Sequence, residues 1–142
     1  MLRRPIRGRG VIAGVALVAV ATVAVAGLWI VERRVPGNPP ALVVQGLVGA
    51  LADHRFDVAV RYLSRRLRDQ IIPLTLEVRT TNLERRTGRI TDIHGRAGWQ
   101  RETRAYATAE ANTERAGRLQ LGFGLVRERN AWRIDELYDL YR

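Results

Sequence analysis

"PLTLEVRTTNLERRTGRITDIHGRAGWQ", Pro73–Gln100, holds the switch that decides the fold. Its first half reads as a helix. Pro73 suits a first helical turn, where its missing N–H costs nothing, and Gly88 suits the residue just past the end. Thr75, Val78, Thr80 and Thr81 weaken that reading, because β-branched side chains lose rotamer freedom against the preceding turn. From Arg89 the period changes to two. "RITDIHGRAGWQ" reads as a strand whose alternation slips, so a bulge is expected near Asp92.

Downstream the period of two persists. "TRAYATAEANT" alternates Ala105, Ala107, Ala109 and Ala111 with Tyr106, Thr108, Glu110 and Asn112. "RLQLGFGLVRE" alternates Leu119, Leu121, Phe123 and Leu125 with polar residues or glycine. "AWRIDELYDLY" closes the run of strands with Trp132, Ile134 and Leu137, and "TERAG" and "ERNA" are turn-rich breaks between strands.

Upstream the period is helical. Pro40 opens a helix carrying Leu42, Val43, Leu47 and Leu51, with Val44 and Val48 beside them. "DHR" breaks it, and Asp57 caps or charges a second helix carrying Val58, Val60, Tyr62 and Leu63. Ser64 caps a third short piece, "SRRLRDQII". Three to four helices followed by about four antiparallel strands make an α+β domain over residues 40–142, with one sheet face buried under the helices. The alternating alanines would accept a tightly packed helix, from this chain or a partner. Gly122 and Gly124 on one strand face allow curvature or the close approach of another backbone.

Ahead of this domain, "ERRVPGNPP" (Glu32–Pro40) reads as an extended linker over 32–39, since its prolines and glycine forbid helix continuation. Before it stands "VIAGVALVAVATVAVAGLWIV", Val11–Val31, without a charge. As a helix it would span about 31 Å, the hydrocarbon thickness of a bilayer. Trp29 suits the headgroup boundary. Arg3, Arg4, Arg7 and Arg9 in the tail 1–10, against Arg33 and Arg34 after the segment, place the N-terminus in the cytoplasm. The expectation is a single-pass inner-membrane anchor with the C-terminal domain periplasmic or extracellular. Arg33 and Arg34 would meet anionic headgroups. Gly14, Ala19, Ala24 and Gly27 would let another transmembrane helix approach. The rival reading is a signal sequence cleaved after Ala26 in "AVAG". It puts the domain on the same side of the membrane.

The 142 residues carry a net charge of +10, and all 24 basic residues are arginine. Codon usage in a GC-rich genome explains the missing lysine. Half the excess charge lies before residue 40, so the domain is only mildly basic, with both signs mixed. That pattern suits a solvated surface, and nucleic acid is not an expected partner. With no cysteine and two histidines, disulfides are excluded, and neither a structural zinc site nor a cofactor is expected.

"LADHRFDVAVRYLS", "TGRITDI" and "RNAWRID", in an order of helices followed by a long sheet, resemble the nuclear transport factor 2-like superfamily. That superfamily also holds ketosteroid isomerase and SnoaL-like proteins, and the nearest likeness is to small bacterial membrane-anchored members of uncharacterised function. The resemblance covers about residues 40–142 and implies a cone-shaped fold whose curved sheet wraps a helix. None of its motifs is catalytic. Enzymes of that fold place Asp, Tyr or His inside the cone, and the candidates here are Asp92 and His94, two apart and so on one strand face. The competing reading puts both at an exposed bulge beside Gly95. His54 and Asp57 sit at a helix break, where capping explains Asp57. No nucleophile triad, phosphate-cradling glycine loop or metal cluster stands in the sequence.

Trp99, Tyr138 and Tyr141, with Arg142, form a candidate docking rim, since aromatics and arginine are enriched at interface centres. Trp132 reads as core. The leading expectation is a non-enzymatic accessory or assembly subunit of a larger membrane complex. Its partners would be membrane lipids and protein subunits, contacted through the domain and the anchor helix. The second is a small apolar ligand or lipid held in the cone pocket, with isomerase-like chemistry at Asp92 or His94.

Overall fold

A computed structural model describes residues 38–140. The membrane-anchor residues (Arg3, Arg4, Arg7, Arg9, Gly14, Ala19, Ala24, Gly27, Trp29, Arg33 and Arg34), Tyr141, Arg142 and most of the 32–39 linker lie outside the described residues. Among the described residues no helix is long and apolar enough to cross a membrane.

The described chain is α+β, with four α-helices and a four-stranded antiparallel sheet. The helices are α1 (Pro40–Ala52), α2 (Phe56–Ala59), α3 (Arg65–Arg68) and α4 (Pro73–Thr87). The strands are β1 (Ile90–Gln100), β2 (Arg104–Thr113), β3 (Gly117–Glu128) and β4 (Ala131–Leu137), paired in the order β1-β2-β3-β4. Each strand neighbours the next in sequence, so short turns suffice.

Pro40 stands in the first turn of α1, and Val43, Val44, Leu47, Val48 and Leu51 form its buried stripe. Leu42, expected on that stripe, is half exposed. The second helix is shorter than its sequence pattern. It is a four-residue α-helix followed by a 3₁₀ turn over Val60–Tyr62, and Leu63 is already extended (φ −77°, ψ 152°). The cause is tertiary. Leu63 bridges to Ile134 as a parallel extension of the sheet beyond β4, and the Ser64 N–H donates to the Ile134 carbonyl at 2.7 Å. Helix and sheet cannot both claim those backbone groups.

Ser64 does cap α3, its Oγ accepting from the Leu67 N–H at 3.2 Å. Asp57 lies in the first turn of α2, where its charge suits the helix end, but it makes no capping bond. α4 runs the full length between Pro73 and Gly88, which takes φ 81°. Burial of Leu76 and Leu83 along one side outweighs the weak propensity of its β-branched residues and the buried Thr80 hydroxyl, which has no hydrogen-bond partner among the described residues.

In β2 the alternation sorts cleanly, and the register of β3 against β4 shifts between Gly124 and Leu125. Ala105, Ala107, Ala109 and Ala111 are at most 3 % exposed and face Phe123, Leu121 and Leu125 in the core. α1 of this chain fills the space over the alanines, packing against β1 and β2. It comes closest at Gly95, where a Cβ would stand 1.8 Å from the Ala41 carbonyl oxygen and where Gln45 Oε1 accepts from the backbone N–H at 3.1 Å. Trp132, Ile134 and Leu137 of β4 join the core. The register of β1 against β2 shifts between Thr91 and His94, with Asp92 at φ 48°, which is the bulge expected there. The opposite face of the sheet stays open: Arg96, Asn112, Arg118 and Gln120 are exposed.

Candidate functional site

The open face has a floor of glycine. β2 and β3 pair Tyr106 with Gly124 and Thr108 with Gly122. Tyr106 therefore points outward over positions without side chains. A Cβ at Gly122 would stand 2.6 Å from the Tyr106 hydroxyl oxygen, and one at Gly124 would stand 2.7 Å from Glu136 Oε2. Side chains use the space that sequence assigned to curvature or to another backbone. Tyrosine over cross-strand glycine also offsets the poor strand preference of glycine.

Around that floor lies a cavity of about 110 Å³ lined by Trp99, Arg104, Tyr106, Gly124, Glu136 and Tyr138. The Tyr106 and Tyr138 rings are 6.2 Å apart and inclined at 51°. Trp99 and Tyr138 are each about half exposed, at 52 % and 50 %. The Arg101 guanidinium lies 5.8 Å from the Trp99 ring. The Tyr138 hydroxyl donates to the Glu136 carboxylate. That bond, with burial beside it, pushes the Tyr138 phenol above its ordinary range, so it stays a neutral donor. Asp139 Oδ2 accepts from the Gly122 N–H at 2.8 Å, and the Tyr138 N–H donates to the Gly122 carbonyl at 3.2 Å, which fastens the segment after β4 to β3.

One edge of the site is locked to the helices through Asp135. Its Oδ1 accepts from the Ser64 hydroxyl at 2.5 Å and from Arg66 Nε at 3.1 Å. Burial alone would raise the Asp135 carboxyl. The hydrogen bonds from Ser64 and Arg66 and the Arg66 charge outweigh it and hold the carboxyl below the ordinary aspartate range.

Two of the three aromatic residues singled out in sequence, Trp99 and Tyr138, thus meet in one cavity. Tyr141 lies outside the described residues. Sequence reading missed Tyr106 and Glu136. The signal was present in the alternation, which sets Tyr106 outward, but it needed the β2–β3 register to show glycine opposite.

Asp92 and His94 lie elsewhere on the same open face. His94 is the cross-strand neighbour of Glu110. Glu110 in turn takes Arg96 at 3.0 Å and Arg118 at 2.8 Å. Asn112 Nδ2 donates to Asp92 at 3.4 Å. Both residues are exposed in a shallow depression of about 80 Å³ and face no enclosed apolar space. The bulge and the register turn them outward, so the interior placement that acid–base chemistry needed is not found. His54, at φ 56°, ends α1 and sets Nε2 3.2 Å from Glu84 Oε2. Among the described residues no cluster of His, Cys, Asp and Glu is arranged to hold a metal.

No protein-family model matches the chain, and none of the curated proteins is similar to it.

Proposed function

We propose that this chain is a single-pass membrane protein whose domain docks a protein partner through the open sheet face, as an accessory or assembly subunit of a larger membrane complex. The observation that carries the reading is the cluster of Trp99, Tyr106 and Tyr138 around a glycine-floored cavity. Half-exposed aromatics beside arginine are the composition of interface hot spots. Tyr138 and Glu136 give that surface a fixed hydrogen-bonding pair, which sets the orientation of whatever docks.

The membrane half of the proposal rests on residues 11–31, which would anchor the chain with its first ten residues in the cytoplasm and its domain outside. The likeness of residues 40–142 to nuclear transport factor 2-like proteins adds the expectation of a cone-shaped domain. In this reading the domain serves binding and carries no catalysis. The core is filled by Val44, Leu47, Val48 and Phe123, all nearly or fully buried, so the reading places the partner outside.

The test is gentle solubilisation of native membranes followed by native mass measurement. The proposal expects a stoichiometric assembly well above the 16.0 kDa of the chain, and its dissociation in a Trp99→Ala, Tyr138→Ala variant. A lone chain in mild detergent would overturn it.

A further inference from the structure

We infer that the groove between α3 and the β3–β4 hairpin is an anion site that takes a phosphate group, apart from the aromatic cavity and independent of the docking reading. Arg65 and Arg68 of α3 face Arg129 and Arg133 of the hairpin across a groove of about 610 Å³, with Glu128 and Ala131 completing its lining. Four guanidinium groups meet one carboxylate. Glu128 is already engaged, its Oε1 accepting from the Arg65 backbone N–H at 3.1 Å. Arg133 is oriented by Nη1 donating to the Arg61 carbonyl at 2.8 Å. Among the described residues no carboxylate lies within ion-pair distance of Arg65, Arg68 or Arg129. Elsewhere on the surface Arg66 pairs with Asp135, and Arg96 and Arg118 pair with Glu110; the groove is set apart by four arginines lining one depression. Gathered like charges repel, and an anion between them relieves the repulsion.

Two further observations point to a ligand. Arg129 and Asn130 both have positive φ, 48° and 65°, in the two-residue turn between β3 and β4. Such turns favour asparagine or glycine, and a long side chain at the first position is disfavoured. The turn would be better served by asparagine, so the guanidinium is what Arg129 adds. Strain of this kind clusters at binding sites. The groove walls are also tied together beforehand. Ser64 and Arg66 bond Asp135, and the Ser64 N–H bonds Ile134, so α3 is fixed against β4.

The lining identifies the ligand class. It is polar and arginine-rich with a single alanine, which suits a headgroup and no acyl tail. Planar guanidinium forks match phosphate oxygens in pairs, which a point charge cannot do. Soluble phosphate and a phospholipid headgroup share that chemistry.

The experiment uses the full chain in a neutral detergent. Inorganic phosphate is titrated in one arm. Micelles doped with phosphatidylglycerol are set against phosphatidylcholine in the other, and potassium chloride at matched ionic strength is the control. Arginine side-chain NMR signals and the thermal midpoint are followed. The inference expects saturable shifts at Arg65, Arg68 and Arg129 where chloride gives none. A response to phosphate alone assigns a soluble ligand, and a response to phosphatidylglycerol alone assigns a headgroup. Arg129→Asn should weaken binding about fivefold, and the Arg65→Gln, Arg68→Gln pair about 25-fold, from about fivefold for each charge removed. Arg129→Asn should also hold or raise the thermal midpoint, which separates lost binding from misfolding. Shifts that chloride reproduces, no saturable response in either arm, or unchanged affinity in Arg129→Asn would each overturn the inference.

Discussion

Both faces of the sheet are built on small residues, and they end differently. On the inner face Ala105, Ala107, Ala109 and Ala111 are covered by α1 and vanish from solvent. On the outer face Gly122 and Gly124 are covered only by Tyr106, Glu136 and the segment around Tyr138, and the cover stays partly open. The inner face is completed within the chain. The outer face leaves Trp99 and Tyr138 half exposed, which gains little for folding, since burial is the source of aromatic stabilisation. That imbalance is why function is placed outside.

The contrast predicts a graded set of responses. Phe123→Ala on the inner face should cost about 3–5 kcal/mol in denaturant unfolding, because it leaves a cavity in the core. A loss under 1 kcal/mol would mean that the inner face is not the core. Asp135→Asn, at the edge joining the faces, should cost about 1–3 kcal/mol by weakening the bonds from Ser64 and Arg66.

Asp135 also gives a pH signature. Its carboxyl is held below the ordinary aspartate range in the folded state. Its contribution is therefore present above the unfolded value and is lost as pH falls through the folded one. The unfolding midpoint of the wild type should fall on that acid limb more steeply than that of Asp135→Asn, and parallel curves would remove the charge from the account.

Gly124→Ala on the outer face should cost about 1–2 kcal/mol, because its Cβ would stand 2.7 Å from Glu136 Oε2 and 3.1 Å from Glu136 Cβ, and moving that carboxylate breaks its bond with the Tyr138 hydroxyl. It should also crowd the cavity and weaken the partner. Trp99→Ala should change stability by no more than about 0.5 kcal/mol while lowering partner affinity tenfold or more. A large stability loss there would make Trp99 a folding residue and erase the distinction between faces.

Local signals made most of the fold legible. The change of period after Gly88, the bulge at Asp92, the Ser64 cap and the Trp132 core position all depend on near neighbours. What escaped was set by tertiary pairing. Leu63 leaves its helix to bridge Ile134, and Leu42 turns outward while Val44 and Val48 turn in. The bulge and the register place Asp92 and His94 outside. The site was half legible: Trp99 and Tyr138 stood out as aromatics, whereas Tyr106 over Gly124, and Arg65 and Arg68 facing Arg129 and Arg133, needed partners far along the chain.

The most direct test places a photo-crosslinking residue at position 99 and, separately, at position 118 on the same open face, in the full chain within native membranes. The account predicts a discrete protein adduct from position 99, little from position 118, and loss of the position-99 adduct when Tyr138 is changed to Ala. Equal adducts from both positions, or none from either, would contradict it.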